Sequence, residues 1–327
     1  MKKGLWCALA LLVSAQALLG GTAVAAPAET LNVGEPQATV FDFVPLHIGV
    51  DKGIFARHGV DVKIFDLRGA AEQQQAMIAG AIDIGLGSGP AMSFSARGAP
   101  VKGVAEMASK PLVMVLAVSA KEPIKTPADL KGKTISIASP GSITEWMIRE
   151  LQRQQGIPQD AVKLIALGAN SAQMAALRTG QVDGMPIDIF SATKYQRDGF
   201  VRILVNFGDI QPHFILHVIF ASDQAIAKKP DAIRRFLAGW FDTIQYMHTH
   251  KDESIKIAAD MTKIPADVIA TLYAQVLPMF TSDGHFDRQA LEVLAKSFVE
   301  LKLLPKQPDM STLYTEALLP KPRQAQK

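Results

Sequence analysis

Cysteine is almost absent from these 327 residues: the single one, Cys7, lies inside an apolar N-terminal run. That run has the parts of a secretory signal. Lys2 and Lys3 give a positive start, Gly4 to Gly20 is almost wholly apolar, and Ala23-x-Ala25 supplies the small residues of a leader-peptidase site. Residues 1–26 are therefore expected to be removed on export. The remaining chain would hold no thiol, which excludes disulfides, cysteine metal sites and cysteine nucleophiles. Cys7 also stands too early, and in the wrong context, for a lipoprotein anchor. Net charge is small as well. The formal net charge of +3 falls to +1 without Lys2 and Lys3, and so balanced a chain has no electrostatic footprint for nucleic acid. No later stretch is long and apolar enough to span a bilayer. A secreted, unanchored product fits a periplasm.

What is present is repetition. A length of about 300 residues after processing suggests two compact units. Leu31 to Glu35 reads as a strand, Pro45 to Arg57 as a helix ended by His58-Gly59, and Val60 to Phe65 as a strand. Gly69 to Ala79 reads as a helix stopped at Gly80, and Ala81 to Leu86 as a buried strand. This βαβαβ order implies a mostly parallel sheet covered by helices. It returns about a hundred residues on: strand Thr134 to Ala138, helix Ser142 to Gln155, strand Val162 to Ala166, helix Ser171 to Thr179, strand Gln181 to Met185. In both copies a helix closes on glycine, Gly80 or Gly180, and a strand carrying Asp83 or Asp183 follows. Two further apolar runs, Leu112 to Ser119 and His213 to Ser222, suit strands that cross between lobes near Val118 and Ile219. The expectation is an α/β protein of two doubly wound lobes joined by a two-strand hinge. Lobe one would take residues 27–117 and 219–319, and lobe two residues 118–218. Helices at Pro230 to His250, Ser254 to Met261, Ala266 to Val276, Asp287 to Leu301 and Ser311 to Leu318 would pack on lobe one, with a loose tail at 320–327.

Several elements then match a known family in order. Pro45-Leu46-His47-Ile48-Gly49-Val50-Asp51-Lys52-Gly53-Ile54-Phe55, followed by Gly59-Val60-Asp61-Val62, resembles its apolar helix and Lys-Gly-aromatic element. Gly80-Ala81-Ile82-Asp83-Ile84-Gly85 resembles its Gly-x-Ile-Asp-Ile-Gly strand. Asp129-Leu130-Lys131-Gly132-Lys133, then Gly141-Ser142, and Gly180-Gln181-Val182-Asp183 complete the set. The chain resembles the periplasmic solute-binding proteins of the sulfonate, nitrate, taurine and thiamine-pyrimidine-precursor class. That resemblance implies a type II periplasmic-binding-protein fold with a hinged cleft.

In open α/β sheets ligands sit beyond the carboxyl ends of the strands. The loops there are Gly34 to Thr39, Leu67 to Gly69, Gly87 to Pro90, Ser139 to Ser142 and Pro186 to Asp188. Gln37, Thr39, Phe41, Arg68, Ser88, Gly89, Gly141, Ser142, Ile143 and Asp188 are the candidate ligand contacts. Ser142 precedes a helix whose free N–H groups favour an acceptor or anion, yet Ser142-Ile143-Thr144-Glu145 also reads as a capping box. Ser88-Gly89-Pro90 reads equally as a ligand contact or a plain turn. Arg68 could pair with a sulfonate or carboxylate, and Asp188 with an amine or hydroxyl, though each also suits an exposed loop. Phe41, Phe43 and Trp146 could stack on a flat ligand or fill the core. Glu35, Glu145 and Asp188 outnumber Arg68, which favours a nitrogenous or aromatic solute over a bare inorganic anion.

Other signals carry less. His213 and His217 are four apart, but on a strand that spacing does not bring them together for a metal. His248 and His250 suit a helix end. Gly85-x-Gly87-x-Gly89 lacks the spacing and acidic follow-up of a dinucleotide loop. No metal, no cofactor and no catalytic residues are therefore expected. The reading is a monomeric binding protein that captures a small organic solute, sulfonate-like or a nitrogenous or aromatic precursor, and hands it to an ABC permease. A ligand-sensing periplasmic module is the alternative. A pyrimidine-precursor-synthase-like enzyme is a third, but that resemblance needs a cysteine-rich iron motif that this chain lacks.

Overall fold

The β-branched and apolar runs become the strands of two five-stranded sheets. The structure, a computed structural model, describes residues 28–36, 39–67, 69–140 and 142–321. The expected signal, at 1–26, lies outside them, as does the tail from residue 322. In chain order the strands are Glu29–Glu35 (β1), Val60–Asp66 (β2), Ile84–Ser88 (β3), Val101–Ser109 (β4), Met114–Ser119 (β5), Thr134–Ile137 (β6), Lys163–Ala166 (β7), Gly184–Asp188 (β8), Val201–Asn206 (β9) and Ile215–Ser222 (β10). The first sheet runs β2-β1-β3-β10-β4 and the second β7-β6-β8-β5-β9. In each, the three strands of the βαβαβ unit are parallel, and the fourth strand is antiparallel to both neighbours. Leu31, Val33, Ile84 and Leu86 of the first sheet are fully buried, each contributing about 1.5–3 kcal/mol.

The repeat has a physical basis in two residue types. Gly80 and Gly180 end their helices at φ +73° and +75°, where a side chain would be strained. The aspartate three residues on then ties the strand start. Asp83 Oδ2 accepts from Asn32 N–H at 2.9 Å, and Asp183 Oδ2 accepts from Thr134 N–H at 2.7 Å.

Four sequence expectations need correction. The chain changes sheets earlier than expected, because β5 and β10 already lie in the sheets they enter. The crossings are residues 110–113 and 207–214, tied to each other by Lys110 N–H donating to Phe214 O at 3.0 Å. The boundaries at 117/118 and 218/219 therefore fall inside strands. Second, β4 and β9 are strands that the pattern left unassigned. Third, the helix expected over Pro45 to Arg57 is two, Val44–Asp51 and Ile54–Arg57, broken where Gly53 takes φ +61°. Fourth, Ser311 to Leu318 is not helical. After a short 3-10 turn, Met310–Thr312, the chain extends along β4, with Gly103 N–H donating to Leu313 O and Thr315 N–H to Gly103 O.

The C-terminal helices cover the first lobe as expected. Pro230–Thr249 buries Ile233, Phe236, Leu237, Trp240, Ile244 and Met247, and Phe236 stacks on Phe55 with ring centres 4.9 Å apart. Among the described residues no helix is long and apolar enough to cross a membrane.

Candidate functional site

The carboxyl ends of the parallel strands in the two lobes approach each other. The contact is aromatic: Phe41, after β1, packs on Phe190, just after β8, with ring centres 4.5 Å apart. Tyr273 and Phe280 close the rest of Phe41, which is 1% exposed. Its ring offers no open face, so the expected stacking platform is an interlobe plug. Phe43 is likewise buried. Trp146 stacks on Phe214 of the second crossing at 4.4 Å and donates its indole N–H to Glu300 Oε2 of lobe one at 3.2 Å. It is a strut between lobes. Arg197 and Asp267 make a further interlobe pair at 2.5 Å.

Of the remaining candidates, Ser88 ends β3 half-buried, opposite His217 of β10. Gly89 is fixed by packing, since a Cβ there would stand 2.1 Å from Ile215 O. Ser142 Oγ accepts from Glu145 N–H at 3.3 Å and lies 2.8 Å from Thr144 Oγ1. The cap is thus made, but Ser142 N–H goes to Ser139 O at 3.2 Å, in place of the return bond of a capping box. Ile143 opens that helix half-buried, and Thr39 is exposed. Gln37, Arg68 and Gly141 lie outside the described residues.

Asp188 caps the helix Ile189–Arg197, its Oδ1 accepting from Ser191 N–H at 2.8 Å. Part of the residue reaches the surface, yet the protein crowds its carboxyl. Burial pushes its pKa up, and the negative charge of Asp42 adds to the shift. Asp42 itself was missed in the sequence. It is 5% exposed, and its Oδ1 lies 2.7 Å from His217 Nε2. A second acid–imidazole pair stands nearby at the end of β1, with Glu35 Oε1 2.9 Å from His47 Nε2. Glu35 is fully buried, and burial raises its pKa. His47 works against that rise, while the adjacent carboxyl of Asp66 adds to it. Strand alternation places Glu35, Ser88 and His217 on one face of the first sheet.

A separate groove of about 940 Å³ lies between the lobe-two helix Ile143–Gln154 and Glu300, Leu301 and Lys302 of lobe one. It is rimmed by charges of both signs, lies at the Trp146 strut, and reaches Pro140 in the loop after β6. Among the described residues no group of three or more His, Cys, Asp or Glu is placed to hold a metal ion.

Two repeated α/β lobes, joined by paired crossings and meeting at their strand ends, are the periplasmic-binding-protein fold. The chain superposes on the periplasmic aliphatic sulphonate binding protein SsuA of Escherichia coli with a TM-score of 0.75, at 22% identity, over 91% of this chain and 95% of that one. The chain belongs to the NMT1/THI5-like family, which it matches over residues 40–254. It is similar to a putative aliphatic sulfonates-binding protein of Escherichia coli strain K12, with 29% identity over 241 residues, 72% of this chain and 73% of that protein. It is also 24% identical over 226 residues to the 4-amino-5-hydroxymethyl-2-methylpyrimidine phosphate synthase of Candida albicans strain WO-1, over 64% of this chain and 65% of that protein.

Proposed function

We propose that this chain is the solute-binding component of an ABC importer, working as a monomer in a periplasm after loss of its N-terminal signal. A small organic solute, sulfonate-like or a nitrogenous or aromatic precursor, binds between the lobes. Closure about the two crossings buries it, and the closed form docks on a membrane permease. Thr39, Ser88, Ser142, Ile143 and Asp188 are the contacts this reading assigns, together with Gln37, Arg68 and Gly141, and Asp42 and His217 join them. The observation that carries the reading is the meeting of two repeated lobes at their strand ends, with Phe41 against Phe190. The chain acts by binding and does not turn its solute over. Lack of a cysteine after residue 7 supports this against the synthase reading.

The test is thermal denaturation of the processed protein against a broad solute panel. A true ligand at a hundred times its dissociation constant adds about 2.7 kcal/mol, or about 4 °C for a protein of this size. Mass spectrometry of the bound solute after incubation checks for turnover. No stabilisation by any solute, or chemical change of the bound one, refutes the proposal.

A further inference from the structure

We propose that the solute carries a protonated nitrogen, as an amine, amidine or basic heterocycle, and that this group sits between Asp42 and Asp188. The inference rests on reading the interlobe cleft as the solute site and goes further by fixing the charge of what enters it.

The two carboxylates come from opposite lobes. Asp42 follows Phe41, and Asp188 stands two residues before Phe190, so the ring pair at 4.5 Å brings their loops together. Each carboxylate spends one oxygen on protein: Asp42 Oδ1 lies against His217 Nε2 at 2.7 Å, and Asp188 Oδ1 accepts from Ser191 N–H at 2.8 Å. Bringing two carboxylates out of water and into each other's field opposes closure. A cation between them reverses the sign of that term, because each carboxylate then meets an opposite charge in a poorly screened site. The same geometry penalises an anion.

A second feature points the same way. Glu35 is fully buried on the sheet face it shares with Ser88 and His217, and its Oε2 has no hydrogen-bond donor among the described residues. The group beside it is the carboxyl of Asp66, which bonds to it only when Glu35 holds a proton. Nδ1 of His217 is also buried without a partner among the described residues. Buried acceptors without donors are costly and are kept where a ligand supplies the donor. A nitrogen base with N–H groups supplies both the charge and the donors. A sulfonate supplies neither.

The experiment uses the processed protein and a panel of alkylamines, amidines, aminopyrimidines, alkanesulfonates, nitrate and neutral amides, read by thermal shift and then by calorimetry. The expected result is binding by a cationic member, with its neutral isostere at least tenfold weaker. Asp188→Asn keeps a helix-capping side chain and should lower affinity for that cation about thirtyfold or more. Asp42→Asn, which keeps a partner for His217, should act in the same direction and serves if the first variant does not fold. Binding by sulfonates or nitrate alone overturns the inference and leaves the binding-protein reading standing. Equal binding of the cation by wild type and both folded variants overturns it too. A panel in which nothing binds overturns both.

Discussion

Glu106 on β4 should make this protein lose stability as the solution turns from acid to neutral. The side chain is 1% exposed. Its Oε2 accepts from Asp287 N–H at 2.8 Å, while Oε1 is buried with no partner among the described residues. Burial raises its pKa from 4.5 to about 7, and the charges of Asp287, Asp283 and Glu316 push the same way, against the Asp287 hydrogen bond. In the unfolded chain the carboxyl ionises near its ordinary value. Between the two values the native state holds a proton that the unfolded state has released, so stability falls as pH rises. Well below pH 4.5 both states are protonated and nothing is lost; by about pH 8 the full difference has been lost. At about 1.4 kcal/mol per pKa unit that difference is about 3 kcal/mol. Glu106→Gln keeps an acceptor for Asp287 N–H and cannot ionise. Urea unfolding at intervals from pH 4.5 to 8.5 should show the wild type falling about 3 kcal/mol relative to the variant across this window. His213, 3.2 Å from Asp287, and His285, 3.0 Å from Glu316, are common to both proteins, so the difference between the two profiles isolates Glu106. Parallel profiles for the two proteins would refute the assignment.

Trp146→Phe removes the indole N–H that reaches Glu300 while leaving a ring on Phe214. Glu300 is exposed, so the strut is worth about 1 kcal/mol, and solute affinity measured by calorimetry should fall about fivefold. An unchanged affinity would show that the strut does not hold the closed form. Gly89→Ala forces a Cβ against Ile215 O and should cost about 1–3 kcal/mol in chemical denaturation even without solute. A variant of wild-type stability would mean that the β3–β10 approach is looser than described.

The repeat was legible because it is written in residues with strong local chemistry. A glycine at a left-handed helix end needs no distant partner to be recognised, and Gly80 and Gly180 behave as read; Asp83 and Asp183, expected on their strands, stand just before them and hold the N–H groups of Asn32 and Thr134. The crossing points were not legible. An apolar run such as Met114–Ser119 declares itself a strand but not which sheet it joins, and the switch falls in the short segment after Lys110. The pattern over Ser311 to Leu318 suggested a helix, and pairing with Gly103 overrode it. In the candidate site, Ser142 and Asp188 could be named because both were expected in loops beyond strand ends; the helix that Asp188 caps was not read. Asp42 could not, since it hides between Phe41 and Phe43 and gains its meaning from His217, 175 residues away. A lone carboxylate inside Val40-Phe41-Asp42-Phe43-Val44 was the one available signal.

The repeat also exposes a difference between the lobes that can be tested directly. Gln73 and Gln173 each stand seven residues before the helix-ending glycine, and each is fully buried. Gln173 is satisfied: its Oε1 accepts from Ser136 Oγ at 3.0 Å and its Nε2 donates to Gly168 O at 2.8 Å. The position matching Ser136 in lobe one is Gly34, two residues past the N–H that the aspartate holds. Gly34 carries no hydroxyl, and the space where a side chain would begin is taken up by Ile82 Cδ1 and Leu67 Cδ1. Neither Nε2 nor Oε1 of Gln73 has a partner among the described residues. An unpaired buried amide carries its desolvation cost with nothing returned, about 1–3 kcal/mol. Gln73→Met, similar in volume, should therefore leave the solute-free protein as stable as wild type or more so. Gln173→Met strands the Ser136 hydroxyl and Gly168 O and should destabilise by about 1–3 kcal/mol. The two variants place the same side chain in the same part of a repeated fold, so helix propensity and size cancel between them. If urea unfolding gives equal losses for both, the hydrogen bonds of Gln173 contribute nothing and the asymmetry between the lobes has no energetic meaning.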